Sequence, residues 1–268
     1  MQYDPIKRTL GGVFNQSVFS RKLFYRLLDL LLLRAWHVHR EIKKWAKTAP
    51  ENVEVLDAGA GFGQYDYYMT RKHPNWNILA IDVKEEQVAD CNNFFGKLKN
   101  PKVKFIVGDL TQYQKADSYN LVVCVDVMEH IEEDVKVFAN YHASMKEGAM
   151  LLISTPSDQG GSDVHEHEHE SFIDEHVRDG YNIDEIQEKL RSVGFNKTEA
   201  KYAYGTPGKI SWKLSMKYPM TMLNYSKLFF VLLPFYYLIT YPFCFVLNYI
   251  DSTTEHKTGT GLIVKAWK

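Results

Sequence analysis

The chain has no block of like charge. Its 32 lysines and arginines balance 33 aspartates and glutamates over 268 residues, leaving a net charge of −1. Nothing here asks for a nucleic-acid partner, which would call for a basic footprint. Cysteine is scarce: Cys91, Cys124 and Cys244 are odd in number, widely spaced and set in apolar or helical contexts. That excludes a disulfide framework, and no zinc motif is visible. The opening Gln2-Tyr3-Asp4-Pro5 lacks the charged-then-apolar order of a secretory leader, so the expected compartment is the cytoplasm. The length suits one α/β domain with additions and is too short for two comfortable ones.

What is present is a glycine-rich turn. Val53, Val55 and Leu56 read as a buried strand, and Asp57-Ala58-Gly59-Ala60-Gly61-Phe62-Gly63 follows before a helix over 64–71. Such a turn lets the backbone approach a ligand closely, and the helix start offers free N–H groups. A dinucleotide site wants G-x-G-x-x-G. The spacing here is G-x-G-x-G, with an acid two residues before the first glycine. The turn alone leaves an NAD-dependent oxidoreductase open as the alternative.

The remaining elements fall in α/β alternation. Residues 76–82 read as a second strand ending in Asp82, about 20 residues past the turn, where an acid can accept both ribose hydroxyls of an adenosine ligand. A helix over 84–98 leads to a third strand over 103–109, ending in Asp109. A fourth over 120–126 ends in Asp126 and runs into Val127-Met128-Glu129-His130-Ile131. A helix over 132–146, a strand over 149–155, a helix over 182–194 and strands over 196–204 and 260–267 complete the pattern.

The glycine turn with its acid, Gly108-Asp109-Leu110, the D-x-x-E-H-I ending of the fourth strand and the run MKEGAMLLISTP over 145–156, taken in order, resemble the class I S-adenosylmethionine-dependent methyltransferases of the ubiquinone/menaquinone-biosynthesis type. The resemblance implies a doubly wound, seven-stranded Rossmann-like α/β sheet in the order 3-2-1-4-5-7-6, the seventh strand antiparallel. It implies S-adenosyl-L-methionine as cofactor, with Asp57, Gly59, Gly61 and Gly63 around the methionine part, Asp82 at the ribose, Asp109 and Leu110 at the adenine, and Asp126 closing the group. It also implies methyl transfer to a small molecule, on oxygen or carbon. A hydroxyl acceptor needs a base, and histidine titrates in the useful range. His130 is one candidate, the other reading being that it caps the next helix. Asp126 and Glu129 read as structural or substrate-orienting. A nucleoside-binding protein without catalysis is the non-enzymatic alternative.

Three pieces depart from the plain fold. Residues 1–48 form an expected helical cap, with a helix over 21–47 that places Leu23, Leu27, Leu30, Leu31, Ala35 and Val38 on one side. The methyltransferase domain is then 49–205 with 259–268. Within it, 160–181 carries His165, His167 and His169 alternating with Glu166, Glu168 and Glu170. In an extended chain the histidines share a face, about 7 Å apart, which is wide for three ligands of one ion. No metal is expected; a charged loop or a base is, with His169, Phe172 and His176 as pocket residues and His169 as the second catalytic candidate. The insertion 206–258 contains 23 successive residues, 228–250, without a charge. Pro234 and Pro242 weaken the case for one straight helix, and a helical pair broken at them is one form it could take. Three uses fit it: a lid forming a pocket for a lipophilic substrate, peripheral membrane docking aided by Lys209, Lys213, Lys217 and Lys227, and a homodimer interface. A single crossing is excluded because the strand after it rejoins the sheet.

Overall fold

The structure is a computed structural model and describes residues 17–160 and 177–268. His165, His167, His169, Phe172 and His176 lie outside the described residues, as does most of the segment 160–181. The chain opens with α1 (Val18–Leu31) and α2 (Leu33–Trp45). Ser17 and Ser20 form a reciprocal capping box that starts α1. The single helix expected over 21–47 is thus two, divided at Leu32, whose backbone is extended (φ −87°, ψ 110°). Leu32 N–H closes α1 on Leu28 O, and Leu32 O accepts from Ala35 N–H to open α2.

The expected apolar face is also corrected in α1. Leu23, Leu27 and Leu30 are exposed, whereas Arg21 and Tyr25 are buried. A buried guanidinium is tolerable only when its donors are met. Arg21 donates to Asp90 (2.6 Å), to the carbonyl of Phe62 (3.0 Å) and to the Tyr25 hydroxyl (2.9 Å). In α2, Ala35 and Val38 are buried as expected, together with Ile42.

The sheet begins with β1 (Glu54–Ala58), followed by α3 (Gln64–Lys72), β2 (Asn77–Asp82), α4 (Glu85–Lys97), β3 (Val103–Val107) and β4 (Tyr119–Val125). A short 3-10 turn, Met128–His130, leads to α5 (Asp134–Ser144), β5 (Met145–Pro156), α6 (Ile183–Ser192) and β6 (Lys197–Ala203). The insertion is α7 (Thr206–Trp212), a π-helical turn at Lys213–Lys217, α8 (Tyr218–Tyr225), a 3-10 turn at Lys227–Val231 and α9 (Leu233–Thr253). The last strand is β7 (Gly261–Trp267). The seven strands lie in the order β3-β2-β1-β4-β5-β7-β6, and β7 is antiparallel to both of its neighbours.

Strand alternation divides the core between the two faces. Val55, Leu121, Val123, Met150 and Leu152 point to the face covered by α2, α3 and α4. Leu56, Val122, Cys124, Leu151 and Ile153 point to the face covered by α5 and α6. All of these are buried, as strands covered on both sides require.

The prolines do not break the insertion. Pro234 sits in the first turn of α9, where a missing N–H costs nothing, and Pro242 lies inside the helix, which continues past it. The helix is held from its side by Tyr236 and Tyr237, whose hydroxyls donate to the carbonyls of Leu214 and Ser215 at 2.7 Å each. Its end is held by Asp251, which is fully buried. Asp251 accepts from Tyr204 N–H (3.1 Å) and Gly208 N–H (2.9 Å) and lies against His37 Nε2 (2.8 Å) and His256 Nε2 (3.1 Å). One carboxylate therefore ties α2, the end of β6, the start of α7 and the end of α9 together.

Glu41 does the same for α2 and the sheet. It is buried beneath Lys201 of β6 (2.6 Å) and Lys265 of β7 (3.3 Å), with Lys44 at 3.2 Å. Burial alone would raise its pKa, but the hydrogen bond and charge of Lys201, with Lys265, hold it at about 2. A depressed carboxylate adds stability above its unfolded pKa of about 4.3 and loses it as pH falls through the folded value. Glu41→Gln should therefore lower unfolding free energy by about 3 kcal/mol near neutrality. In urea titrations the gap to the parent protein should shrink steadily from about pH 4 to about pH 2; a gap independent of pH would remove Glu41 from this role.

Candidate active site

The bend after β1 is built from left-handed residues. Gly59, Gly61 and Gly63 have φ of +81°, +53° and +73°, a region that residues with a Cβ enter at a cost. The three are not equivalent. A Cβ on Gly59 would meet Val127 Cγ2 at 2.2 Å, and one on Gly63 would meet Phe105 at 3.0 Å, whereas one on Gly61 would find nothing within 4 Å. Gly59 and Gly63 are thus glycines for packing, and Gly61 faces open space at the crest of the bend.

The bend is fastened to the next strand. Gly59 and Ala60 donate their N–H groups to Ile81 O at 2.8 and 3.0 Å, and Gly61 N–H donates to Asp82 Oδ2 at 2.8 Å. The other carboxylate oxygen of Asp82 accepts from Lys84 N–H at 2.9 Å. Asp82 pairs in register with Val107, the last residue of β3, and Gly108 N–H donates to Asp82 O. Asp109 therefore stands beside Asp82 along the same edge. It is exposed, with Oδ1 accepting from Thr111 N–H, while Leu110 is buried behind it.

Asp57 lies beneath the bend. It is buried, its Oδ2 has no hydrogen-bond partner, and it faces the buried carboxyl of Asp66. Burial pushes Asp57 up to about 7, and burial together with the neighbouring Asp57 raises Asp66 well above its ordinary range. Asp126 follows β4 with φ +52° and forms an ion pair with Arg34 of α2. Glu129 is buried nearby, accepting from Thr155 Oγ1 at 3.1 Å. Burial first, and the neighbouring Asp126 charge second, push it up to about 8. His130, next in sequence, is exposed in the 3-10 turn. His169, the other histidine expected here, lies outside the described residues.

The edge thus gathers Gly59, Gly61, Gly63, Asp82, Asp109, Leu110 and Asp126, with Asp57 under the floor. Sequence reasoning missed the roof. Arg34 reads from sequence as a solvated helix cation, yet it crosses to Asp126. The Arg34 backbone N–H donates to the hydroxyl of Tyr204 at 3.1 Å, and Tyr204 itself is left-handed at φ +57°. The Tyr65 hydroxyl is buried without a hydrogen-bond partner among these groups. One left-handed residue after each of β4 and β6, Asp126 and Tyr204, separates these positions from ordinary strand ends, and no sequence signal marks it. Arg21 and Tyr25 of α1 both donate to Phe62 O, so the cap grips the bend as well. Among the described residues no cluster of three histidine, cysteine or acidic side chains could hold a metal ion.

The residues fit an adenosine ligand with an amino-acid tail. Two exposed carboxylates stand where hydroxyl and amino groups could donate, Gly61 leaves room over the bend, and the orphaned Asp57 Oδ2 and Tyr65 hydroxyl leave polar capacity unmet.

Residues 55–148 match a family model described as a methyltransferase domain. The chain is 24% identical over 119 residues to a malonyl-[acyl-carrier protein] O-methyltransferase of Ilyobacter polytropus, covering 44% of this chain and 45% of that protein. It is 24% identical over 178 residues to a ubiquinone biosynthesis O-methyltransferase of Rickettsia felis, covering 61% of this chain and 68% of that one. The chain therefore spans about half the length of the first relative and about two thirds of the second. Among solved structures, phosphoethanolamine N-methyltransferase 2 of Haemonchus contortus in complex with S-adenosyl-L-methionine superposes with a TM-score of 0.60 at 19% identity, covering 86% of this chain and 52% of that chain. At that identity the likeness is one of fold.

Gly59 offers a test of the bend. Gly59→Ala meets both Val127 and a left-handed φ, and should destabilise the fold by about 2–3 kcal/mol. Adding Val127→Ala should recover the steric share and leave about 1 kcal/mol of backbone cost. Chemical denaturation of the two variants checks this, and equal stability of the single variant and the parent would contradict it.

Proposed function

We propose that this chain is a class I S-adenosylmethionine-dependent methyltransferase, a reading supported by its sheet order and by the match over 55–148, and that it methylates a small lipophilic molecule. The observation that carries the cofactor reading is the Asp82 carboxylate. It is fixed by Gly61 N–H and Lys84 N–H at the tip of β2 and is still part-exposed beside Asp109. In this reading 49–205 with 259–268 is the catalytic domain, 1–48 its cap and 206–258 its insertion.

When bound, the cofactor supplies a methyl group on a positively charged sulfur, open to in-line displacement. The residues then have three tasks. Asp82 accepts from ribose hydroxyls, Asp109 and the Leu110 backbone meet the adenine, and Gly59, Gly61, Gly63 and Asp57 receive the amino-acid tail. Arg34, Asp126, Tyr65 and Tyr204 close the edge against water. Orientation supplies most of the rate, because charge is neutralised as the reaction proceeds. For a hydroxyl acceptor His130 and His169 are the proposed proton acceptors. Glu129 is a second choice favoured by its burial at the tip of β4 and by a pKa pushed to about 8, close to the range in which a base works best.

The lipophilic acceptor is inferred from the apolar insertion that α7 ties to the end of β6, on the edge where parallel sheets bind their ligands. The same surface supports a cytoplasmic protein held at a membrane.

Three experiments test the reading. Asp82→Ala should weaken S-adenosylhomocysteine binding by about tenfold or more in calorimetry, the loss of hydrogen bonds to a charged group, while the melting curve stays cooperative; unchanged affinity would remove the ribose assignment. Incubation with methyl-deuterated S-adenosylmethionine and a solvent extract of cells should give one labelled lipid-soluble product by mass spectrometry. A Glu129→Gln variant that still shows the parent pH–rate profile would leave the histidines as the base, and a protein that binds cofactor yet labels nothing would be a binding protein only.

A further inference from the structure

Helix α9 is inside out. Its buried residues are Cys244, Asn248, Asp251 and Ser252, three of them polar, falling on one side over successive turns. Its exposed face carries Phe235, Leu238, Ile239, Phe243, Val246 and Ile250, with Leu238 75%, Ile239 68% and Phe243 65% exposed. A helix on a water-soluble domain does the opposite. The pattern is maintained by bonding, since Asp251 anchors the polar face to Tyr204, Gly208 and His37, so the helix cannot roll its apolar side inward without breaking that hub. The apolar surface continues at Tyr225 and Leu228, 87% and 80% exposed, between α8 and α9. It also continues onto α1. Trp36 packs edge-on against Phe245 at 4.9 Å, the Tyr241 hydroxyl reaches Leu30 O, and beyond this junction lie the exposed Leu23, Leu27 and Leu30. A connected apolar surface of this kind marks an interaction site.

Charge identifies the occupant. From 206 to 250 the chain has four lysines, Lys209, Lys213, Lys217 and Lys227, and neither aspartate nor glutamate. Two copies meeting through this face would bring like charges together. An anionic bilayer surface offers the complementary charge and the apolar depth at once. The tyrosines that fringe the surface, Tyr218, Tyr225 and Tyr249, are exposed as well, and such rings favour the headgroup level. A cavity of about 310 Å³ beside it is lined by Arg40 and Lys43, by the single acid Asp29 and by the rings of Trp36 and Tyr249, so cations outnumber acids at this border too. The insertion leaves and returns beside Asp251, so a one-way crossing is excluded.

We propose that α9, the segment 218–232 and the leucine face of α1 form one surface that docks in the plane of a bilayer rich in anionic phospholipid. This rests on the reading of the insertion given above and extends it: docking would set the β6 edge of the active site at the lipid boundary, from which a lipophilic acceptor enters.

Flotation of the full chain with phosphatidylcholine vesicles, with and without phosphatidylglycerol, tests this. The parent protein should float with the phosphatidylglycerol vesicles, and more weakly as salt rises. The variant Leu238→Ser/Ile239→Ser/Phe243→Ser should lose about tenfold or more of that partitioning, and Lys209→Glu/Lys227→Glu should lose the preference for phosphatidylglycerol. As a check independent of folding changes in the triple variant, an environment-sensitive dye on Leu238→Cys should shift to the blue with these vesicles, the three native thiols being buried. Absence of parent binding, or equal binding by the triple variant, would overturn the proposal. So would a parent dimer that the triple variant turns into a monomer while neither binds vesicles, which would make the surface an interface between copies. Calorimetry with S-adenosylhomocysteine on the same samples separates this outcome from the functional reading: docking without cofactor binding would sink the methyltransferase role alone, and cofactor binding without docking would sink this surface alone.

Discussion

The hydrogen bond from Gly61 N–H to the Asp82 carboxylate holds the cofactor edge together. It joins the crest of a left-handed bend to the tip of the neighbouring strand, and it does so with the side chain that the proposed function also assigns to the ligand. Without an acceptor there, a bend with glycine at every second residue would be free to take several shapes. With it, and with Ile81 O taking the N–H groups of Gly59 and Ala60, the bend has a single shape. The positions of Asp109, one strand over, and of Val127, packed on Gly59, follow from that shape.

Around this edge the chain spends buried charge on positioning. Arg21, Glu41 and Asp251 are all buried and all multiply bonded. Each links an element outside the sheet to one inside or beside it: α1 to the bend, α2 to β6 and β7, α9 to the end of β6. Buried ion pairs contribute little net stability compared with apolar packing, but removing one partner is costly, so they fix register and angle. Elements outside the sheet that are to border a site need that fixed placement. It also accounts for α9, which turns its polar side to the protein because that side carries the anchor.

Much of the sheet was legible because alternation and glycine position are local signals. Strand order and the antiparallel β7 agree with what the resemblance implied, and Asp82, Asp109 and Asp126 stand at or just past the ends of their strands along one edge. The cap was legible only in part. Periodicity placed the leucines of α1 on one side, but periodicity records hydrophobicity and is blind to a guanidinium whose donors are met at residues 25, 62 and 90. Arg34 and Tyr204 were missed for a similar reason, their roles depending on left-handed backbone at Asp126 and Tyr204 and on contacts across more than ninety residues. Pro242 was over-read, since a proline forbids one hydrogen bond and leaves the rest of a side-anchored helix intact.

The central claim is that the bend and the carboxylates along its edge grip an adenosine with a sulfonium tail. A crystal structure of the full chain with S-adenosylhomocysteine tests it most directly. The account predicts the ribose on Asp82, the adenine between Asp109 and Leu110, and the amino-acid tail over Gly61. Density for that molecule anywhere else, or a dinucleotide diphosphate seated on the bend in its place, would contradict it.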